Sequence, residues 1–354
     1  MPEKIRILFA TDGLGNGGKE RQLIETIKHL DSSIFNVGLI TFNNNQYYSV
    51  LGEHISEYYS VFIKEKNKLE PFLSVFEAFE NFKPDIVHSF DILSSMYTYI
   101  PSILYKVKIV NASIQDSGLD KGWQYKMKKY LLSVADAKIS NSLAGFHYYN
   151  TEGELLYNFI NPDRFKKTKS NEGFNVVMVA NFTDYKDYSS YFEIIKELIR
   201  QKLIDKAYAV GAGKYFSKYQ KEISLDEVLK DNVVFTGNIS DVESLLSSVS
   251  IGFLFSTEKY GEGISNSVLE YMASGVVSIV SDIGGSSEII DHGVDGFLVK
   301  KDDLSGIAEI ISKLRDNGNY KESIIENGRR KIDEKFSLKE NIRKLEEIYK
   351  RLIN

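Results

Sequence analysis

The chain is expected to fold as two doubly wound α/β domains, and three observations lead there. At 354 residues it exceeds one ordinary hydrophobic core, which in most chains spans about 100 to 200 residues. Short apolar, β-branched runs alternate with helical stretches in the manner of βαβ units, and that series stops once near the middle and begins again. The runs are apolar throughout rather than alternating with polar residues, as in parallel sheets covered on both faces.

In the first half the strands are expected at Ile5–Thr11, Asn36–Phe42, Asp85–Ser89, Lys108–Ser113 and Ala137–Ser142, with a helix over Lys19–Leu30. Around Asn161, Pro162 and Lys166–Gly173 the periodicity ends, which reads as a linker. The second series is Asn175–Ala180, Ala207–Gly211, Asn232–Thr236, Ile251–Phe255, Val277–Ser281 and Gly296–Val299. Ser337–Asn354 sets Ile342, Leu345, Ile348 and Leu352 on one face with charges between them, an amphipathic terminal helix. The expected division is therefore 1–165, 170–336 and 337–354. Ligands of such sheets bind at the carboxyl ends of the strands, so a facing pair of domains would form a cleft.

Composition narrows the function. The apolar fraction of 43% and charged fraction of 26% suit a soluble globular chain. With no cysteine there is no disulfide framework or thiolate metal site, and a reducing compartment is the simplest setting. The apolar run Ile7–Ala10 is too short for a signal core or a membrane span, so a cytoplasmic location is expected. Residues 1–169 hold 20 Lys and Arg against 19 Asp and Glu, residues 170–354 hold 24 against 30, and the net charge is −5. No nucleic-acid partner is expected from that balance.

The first chemical signal is Asp12-Gly-Leu-Gly-Asn-Gly-Gly-Lys19, directly after the first strand and opening a helix. Glycines let a backbone approach phosphate, and a helix N-terminus offers amide donors and a favourable dipole. A tight strand-to-helix turn would need the same residues. It is a poor dinucleotide fingerprint, because Asp31, the acidic residue about 20 positions on, precedes the second strand instead of ending it.

The strongest segment runs from Ser256 through Glu262 and Glu270 to Gly275. On one helix the two glutamates would stand about 12 Å apart by rise, too far for the paired carboxyls of a glycoside hydrolase and suited to two ends of one ligand. Glu270 can accept from ribose hydroxyls, Glu262 can hold a sugar, and amides near Gly263, Ile264, Ser265 and Asn266 can face phosphates. Ser267-Val-Leu-Glu270 also fits a capping box, in which Glu270 serves only its own helix.

Glu262 to Gly275, followed by Val280-Ser-Asp-Ile-Gly-Gly285, Glu288-Ile-Ile, His292-Gly and Asp295-Gly-Phe-Leu-Val299, resembles the family 4 retaining glycosyltransferases. The resemblance extends to the glycine turn, to Asn232–Gly237 and to the terminal helix. It implies a GT-B fold: two Rossmann-like doubly wound domains facing a cleft, the C-terminal one holding a nucleotide-sugar donor, the N-terminal one the acceptor, and the terminal helix packing back on the N-terminal domain. It further implies that Glu262 lies near the donor sugar, that Glu270 binds ribose and that Gly17 and Gly18 lie near the diphosphate. Gly211 and Gly237, at the ends of expected strands, complete the donor-side candidates.

Two departures stand out. The family carries an Arg and a Lys after the first strand of the second domain; here Lys186 matches, but Asn181 stands where the Arg is expected, with Arg21 or Lys214 as substitutes. Many relatives carry a His where this chain reads Ile114-Gln115-Asp116, so acceptor contacts shift to Gln115 or Asp116, with His88 as a further cleft candidate or a core histidine. There is no Asp-x-Asp triplet, so neither metal nor other cofactor is expected, and the resemblance then implies Lys186 and Glu262 as the catalytic pair.

Trp123, Lys126, Lys128 and Lys129 lie in a stretch that mixes cations with apolar residues, as an interfacial helix does, which suggests peripheral membrane contact. The expected activity is transfer of a sugar, with retention, from a nucleoside diphosphate donor such as a UDP-sugar to a glycan or lipid-linked glycan in bacterial surface polysaccharide synthesis. A non-catalytic GT-B subunit and a nucleotide-sugar epimerase of the same fold are the alternatives.

Overall fold

A computed structural model describes residues 3–15, 17–43, 52–61, 63, 69–116, 118, 122–165, 173–257 and 261–354. The chain divides into two compact units, Met1–Asn158 with Lys339–Asn354, and Phe159–Leu338.

The first unit contains β1 (Ile5–Thr11), α1 (Gly18–His29), β2 (Phe35–Thr41), β3 (Glu57–Ser60), α2 (Glu70–Phe82), β4 (Ile86–Ser89), α3 (Ile92–Tyr105), β5 (Lys108–Ile114), α4 (Trp123–Ser133), β6 (Ala137–Ser140), α5 (Leu143–Tyr149) and β7 (Glu154–Leu155). Among the described residues its strands form one parallel sheet in the order β3-β2-β1-β4-β5-β6-β7. β1 is apolar on both faces because both are covered. Ile7 and Phe9 pack with Leu23, Ile27, Leu345 and Tyr349, while Leu8 and Ala10 pack with Val75, Phe79 and Phe82. Each such buried side chain stabilises the fold by roughly 1.5–3 kcal/mol before entropy is counted.

The second unit contains β8 (Val176–Val179), α6 (Tyr188–Arg200), β9 (Ala207–Val210), α7 (Phe216–Ser224), β10 (Val233–Gly237), α8 (Val242–Leu246), β11 (Ile251–Leu254), α9 (Asn266–Ser274), β12 (Val277–Ser281), α10 (Ser286–Ile289), β13 (Phe297–Val299), α11 (Leu304–Asp316) and α12 (Gly318–Lys335). Its sheet is also parallel, in the order β10-β9-β8-β11-β12-β13. Both orders reverse beside the first strand of the unit, between β1 and β4 and between β8 and β11, the place where doubly wound sheets bind ligands.

The last helix, α13 (Leu338–Ile353), buries Ile342, Leu345 and Ile348 as its spacing requires, and from Lys339 onward it belongs to the first unit. Asp31 N donates to Glu346 Oε1 at 3.0 Å and Arg351 reaches Glu154 at 2.5 Å, both inside that unit. No helix among the described residues is long and apolar enough to cross a membrane.

Two details differ from expectation. The first division falls after Asn158 and not after 165, because Phe159, Ile160 and Phe165 are buried in the second unit and Ile160 exchanges backbone hydrogen bonds with Phe336 and Leu338. Of the expected linker, residues 166–172 lie outside the described residues. The edge strands β3 and β7 were not anticipated: β3 alternates half-buried and exposed positions and β7 has two residues, so neither carries an apolar run.

Candidate functional site

In the second unit the segments leaving β8 and β11 are sewn together. Asp187 N donates to Phe255 O and Thr257 N to Tyr185 O, each at 2.9 Å, and Lys186 forms an antiparallel bridge with Ser256. This pairing brings the Lys186 ammonium onto Glu262 Oε2 as an ion pair. Ser256 Oγ donates to the same carboxylate oxygen at 2.7 Å, and Ser256 N donates to Ser281 Oγ at 3.1 Å. The Glu262 carbonyl accepts from Gly285 N at 2.7 Å, so the glutamate is held from both sides. The Lys186 and Glu262 side chains are 10% and 18% exposed, which largely shields the pair from salt.

Glu262 lies ahead of α9 and Glu270 within it, so the two do not share a helix. Glu270 is buried. The capping-box alternative does not form. The N-cap of α9 is Ser265, which makes no side-chain cap bond, and Ser267 Oγ donates to Val179 O at 2.7 Å. Ser267 therefore lies inside α9 rather than at its cap, and Glu270 stands in the middle of the helix. Tyr271 fixes α9 against the sheet: its hydroxyl accepts from Val179 N at 2.7 Å and donates to Phe253 O at 3.2 Å. Gly252 makes room for that ring, since a Cβ there would stand 2.3 Å from it.

Gly263, Ile264 and Ser265 are buried at the entry to α9, and Asn266 is half-buried as its first residue. Gly211, at φ 133°, allows the chain after β9 to pass β8: a Cβ would stand 2.1 Å from Ala180 O. Its amide donates to Gly237 O at 3.0 Å, which ties the ends of β9 and β10. Asn181 is half-buried, with its carbonyl accepting from Thr183 N at 2.9 Å. Lys214 does reach the Asn181–Lys186 segment, but there it pairs with Asp184, whose hydrogen bond pushes the lysine up to about 12. Asp187 caps α6 through Ser190 N at 3.1 Å and takes Lys301 at 2.5 Å; burial opposes its ionisation, yet these bonds hold the carboxyl below its usual range.

The first unit has a matching cluster at its own switch point. Asp91, which follows β4, accepts from Asp12 N at 2.7 Å and Thr11 Oγ1 at 3.2 Å and caps α3 through Ser94 N at 2.8 Å. Lys19 meets Asp12 at 2.5 Å, Asp91 at 3.2 Å and Glu20 at 3.4 Å. Burial disfavours its charge, but the three carboxylates outweigh burial and raise its pKa. Gly17 is the N-cap of α1 and Gly18 its first residue. Asn16, inside this turn, lies outside the described residues. Sequence reasoning passed over Asp91, Ser256 and Tyr271. Asp91-x-x-Ser94 just after an apolar strand was a legible capping box; the other two needed tertiary contacts.

Of the acceptor-side and membrane candidates, His88 and Lys128 are buried, while Gln115 and Asp116 are tied within the first unit. His88 is 1% exposed, with Nδ1 2.5 Å from Tyr349 Oη of α13 and its ring between Phe9 and Phe90. It is a core histidine and lines no surface. Burial lowers its pKa to about 3. Gln115 Nε2 donates to Phe90 O and Ala112 O at 3.2 Å, joining the ends of β4 and β5. Asp116 accepts from Tyr149 Oη at 2.8 Å and Lys128 Nζ at 3.2 Å. Lys128 is 8% exposed, its pKa lowered by burial against the pull of Asp116, so it leaves the set of membrane-facing cations. Trp123 and Lys126 are exposed and Lys129 is half-buried.

The two Rossmann-like parallel sheets define the GT-B class of fold. Residues 159–331, which lie in the second unit, match the family described as Glycosyl transferases group 1. The Anabaena protein Alr3699/HepE, solved in complex with UDP-glucose, superposes with a TM-score of 0.86 at 18% identity over 98% of this chain and 100% of that one. A capsular polysaccharide biosynthesis glycosyltransferase, CapM of Staphylococcus aureus, is 27% identical over 51% of this chain and 46% of its own. The UDP-Gal:alpha-D-GlcNAc-diphosphoundecaprenol alpha-1,3-galactosyltransferase of Escherichia coli is 24% identical over 50% of this chain and 45% of its own. This chain thus spans less than half the length of these curated relatives.

Proposed function

We propose that the chain is a glycosyltransferase of family 4 that transfers a sugar from a nucleoside diphosphate, UDP first among candidates, to a glycan or lipid-linked glycan in polysaccharide synthesis, with retention and without a metal. The observation that carries this is the Lys186–Glu262 pair, set by Ser256 at the switch point of the second sheet, with Glu270 buried on α9. Lys186 supplies positive charge for the leaving diphosphate, and the N-terminus of α9 adds its dipole. When donor arrives, Lys186 turns from the carboxylate to phosphate and Glu262 takes sugar hydroxyls. As the bond between the anomeric carbon and the phosphate oxygen stretches toward an oxocarbenium-like state, the acceptor hydroxyl oxygen bonds to that carbon from the same face and its proton passes to the leaving diphosphate. Glu270 holds the ribose. The UDP-glucose bound to HepE and the UDP-galactose donor named for the E. coli relative support the choice of base.

A thermal-shift panel of UDP, GDP, ADP and CMP on wild type and Lys186→Ala tests it. A ligand at 100 times its Kd stabilises by about 2.7 kcal/mol, worth roughly 5–10 °C in a domain of this size. Stabilisation by one nucleoside diphosphate, lost in the variant, is the expected result. Product formation with an inverted anomer, or only with added metal, contradicts the mechanism.

A further inference from the structure

We infer that the outer faces of α3 and α4 form a membrane-docking surface that takes an anionic lipid bilayer. The proposal deepens the reading above by naming what would hold the enzyme at a lipid-linked acceptor, while lipid binding itself is measured without any transfer.

α3 contains no charged residue along its 14 positions, and its second half presents Ile100, Ile103 and Leu104 to solvent, 49%, 56% and 65% exposed. These recur at i, i+3 and i+4 and so share one helix face. The opposite face, with Ser94, Ser95, Thr98 and Ser102, is the buried one. This inverts the ordinary arrangement for a helix on a doubly wound sheet, where apolar residues face inward. α4 lies alongside, with Tyr99 and Tyr130 hydroxyls 3.2 Å apart and their rings edge to face at 5.9 Å. It exposes Trp123 by 63% and Tyr130 by 51%. The two are seven positions apart, about 10 Å along the helix.

The charge on this face selects the occupant. α4 has no acidic residue, and its outward cations are Lys126 and Lys129. Lys106, exposed in the left-handed position that ends α3, adds a third. The nearby Asp116 is held by Lys128 and Tyr149, and Glu80 of α2 receives the Tyr105 hydroxyl at 2.9 Å. Exposed isoleucine and leucine beside aromatic rings and lysines match the chemistry of a surface lying in the headgroup region. A protein partner would be favoured by apolar area alone; the surrounding lysines favour anionic headgroups.

The test is flotation with vesicles of phosphatidylcholine alone and of phosphatidylcholine with about 30 mol% phosphatidylglycerol. Wild type is compared with Ile103→Ser/Leu104→Ser and with Lys126→Glu/Lys129→Glu. Ile103, Leu104 and Lys126 are exposed and Lys129 is half-buried, and UDP thermal shifts on each protein report whether the fold and the donor site are intact. Leu225→Ser, at a still more exposed apolar residue on the second unit, is the control. Flotation of wild type and control with the anionic vesicles, reduced about tenfold or more in both double variants with UDP response unchanged, is expected. Absence of wild-type flotation, or equal flotation of all four proteins, overturns the proposal. So does a wild-type dimer by sedimentation that Ile103→Ser/Leu104→Ser converts to monomer, because a second copy would then cover the face. Loss of the UDP response in wild type would count against the proposed donor and leave the lipid result to stand by itself.

Discussion

Lowering the pH from 7.5 to 5.0 should destabilise the first unit through one residue, His88. In the folded chain the imidazole is fully buried and its pKa falls from 6.5 to about 3. The unfolded chain protonates it near 6.5, so the folded state binds fewer protons between those values. The stability it contributes is complete above pH 6.5 and declines as pH falls toward 3. At pH 5.0 the linkage term is about 2 kcal/mol, and at pH 7.5 it is about 0.1. The assay is urea unfolding followed by circular dichroism on wild type and His88→Asn at both pH values. The variant leaves the Tyr349 hydroxyl without its histidine partner, a cost present at both pH values, so only the difference in pH dependence reports His88. Wild type should lose about 2 kcal/mol more than the variant between pH 7.5 and 5.0, roughly 1 M in urea midpoint. Equal pH dependence in the two proteins would refute the burial argument.

Other substitutions probe the two switch points. Tyr271→Phe removes the partners of Val179 N and Phe253 O and should cost about 1–3 kcal/mol in thermal denaturation, with a fall in donor affinity because α9 carries Glu270. Asp91→Ala removes the cap of α3 and one carboxylate on Lys19; about 2–4 kcal/mol should be lost from the first unit, while UDP stabilisation of the second unit persists. Glu270→Gln keeps the side-chain volume, so titration calorimetry should find UDP affinity reduced about tenfold and Tm changed little.

Much of the fold was legible in the sequence because buried parallel strands leave unbroken apolar runs. Ile5–Thr11 and Val277–Ser281 match their strands to the residue, and the spacing of Ile342, Leu345 and Ile348 announced the terminal helix. The edge strands β3 and β7 escaped because an edge needs no such run. The early boundary escaped because Ile160 is placed by backbone hydrogen bonds with Phe336 and Leu338, nearly 180 residues away in sequence.

The candidate site divides along the same line. Glu262, Glu270 and the glycine turn stood out by spacing and composition beside expected strands, whereas Lys186 and the choice of a ligand role for Glu270 over a helix cap came from the family resemblance. Only the tertiary structure decided that Lys186 reaches Glu262 and that Ser256 holds the same oxygen. It likewise sent His88 into the core and Lys128 onto Asp116. Local sequence specifies which backbone conformations are cheap. Which titratable groups meet, and how much water they keep, is set by the packing of segments far apart in the chain.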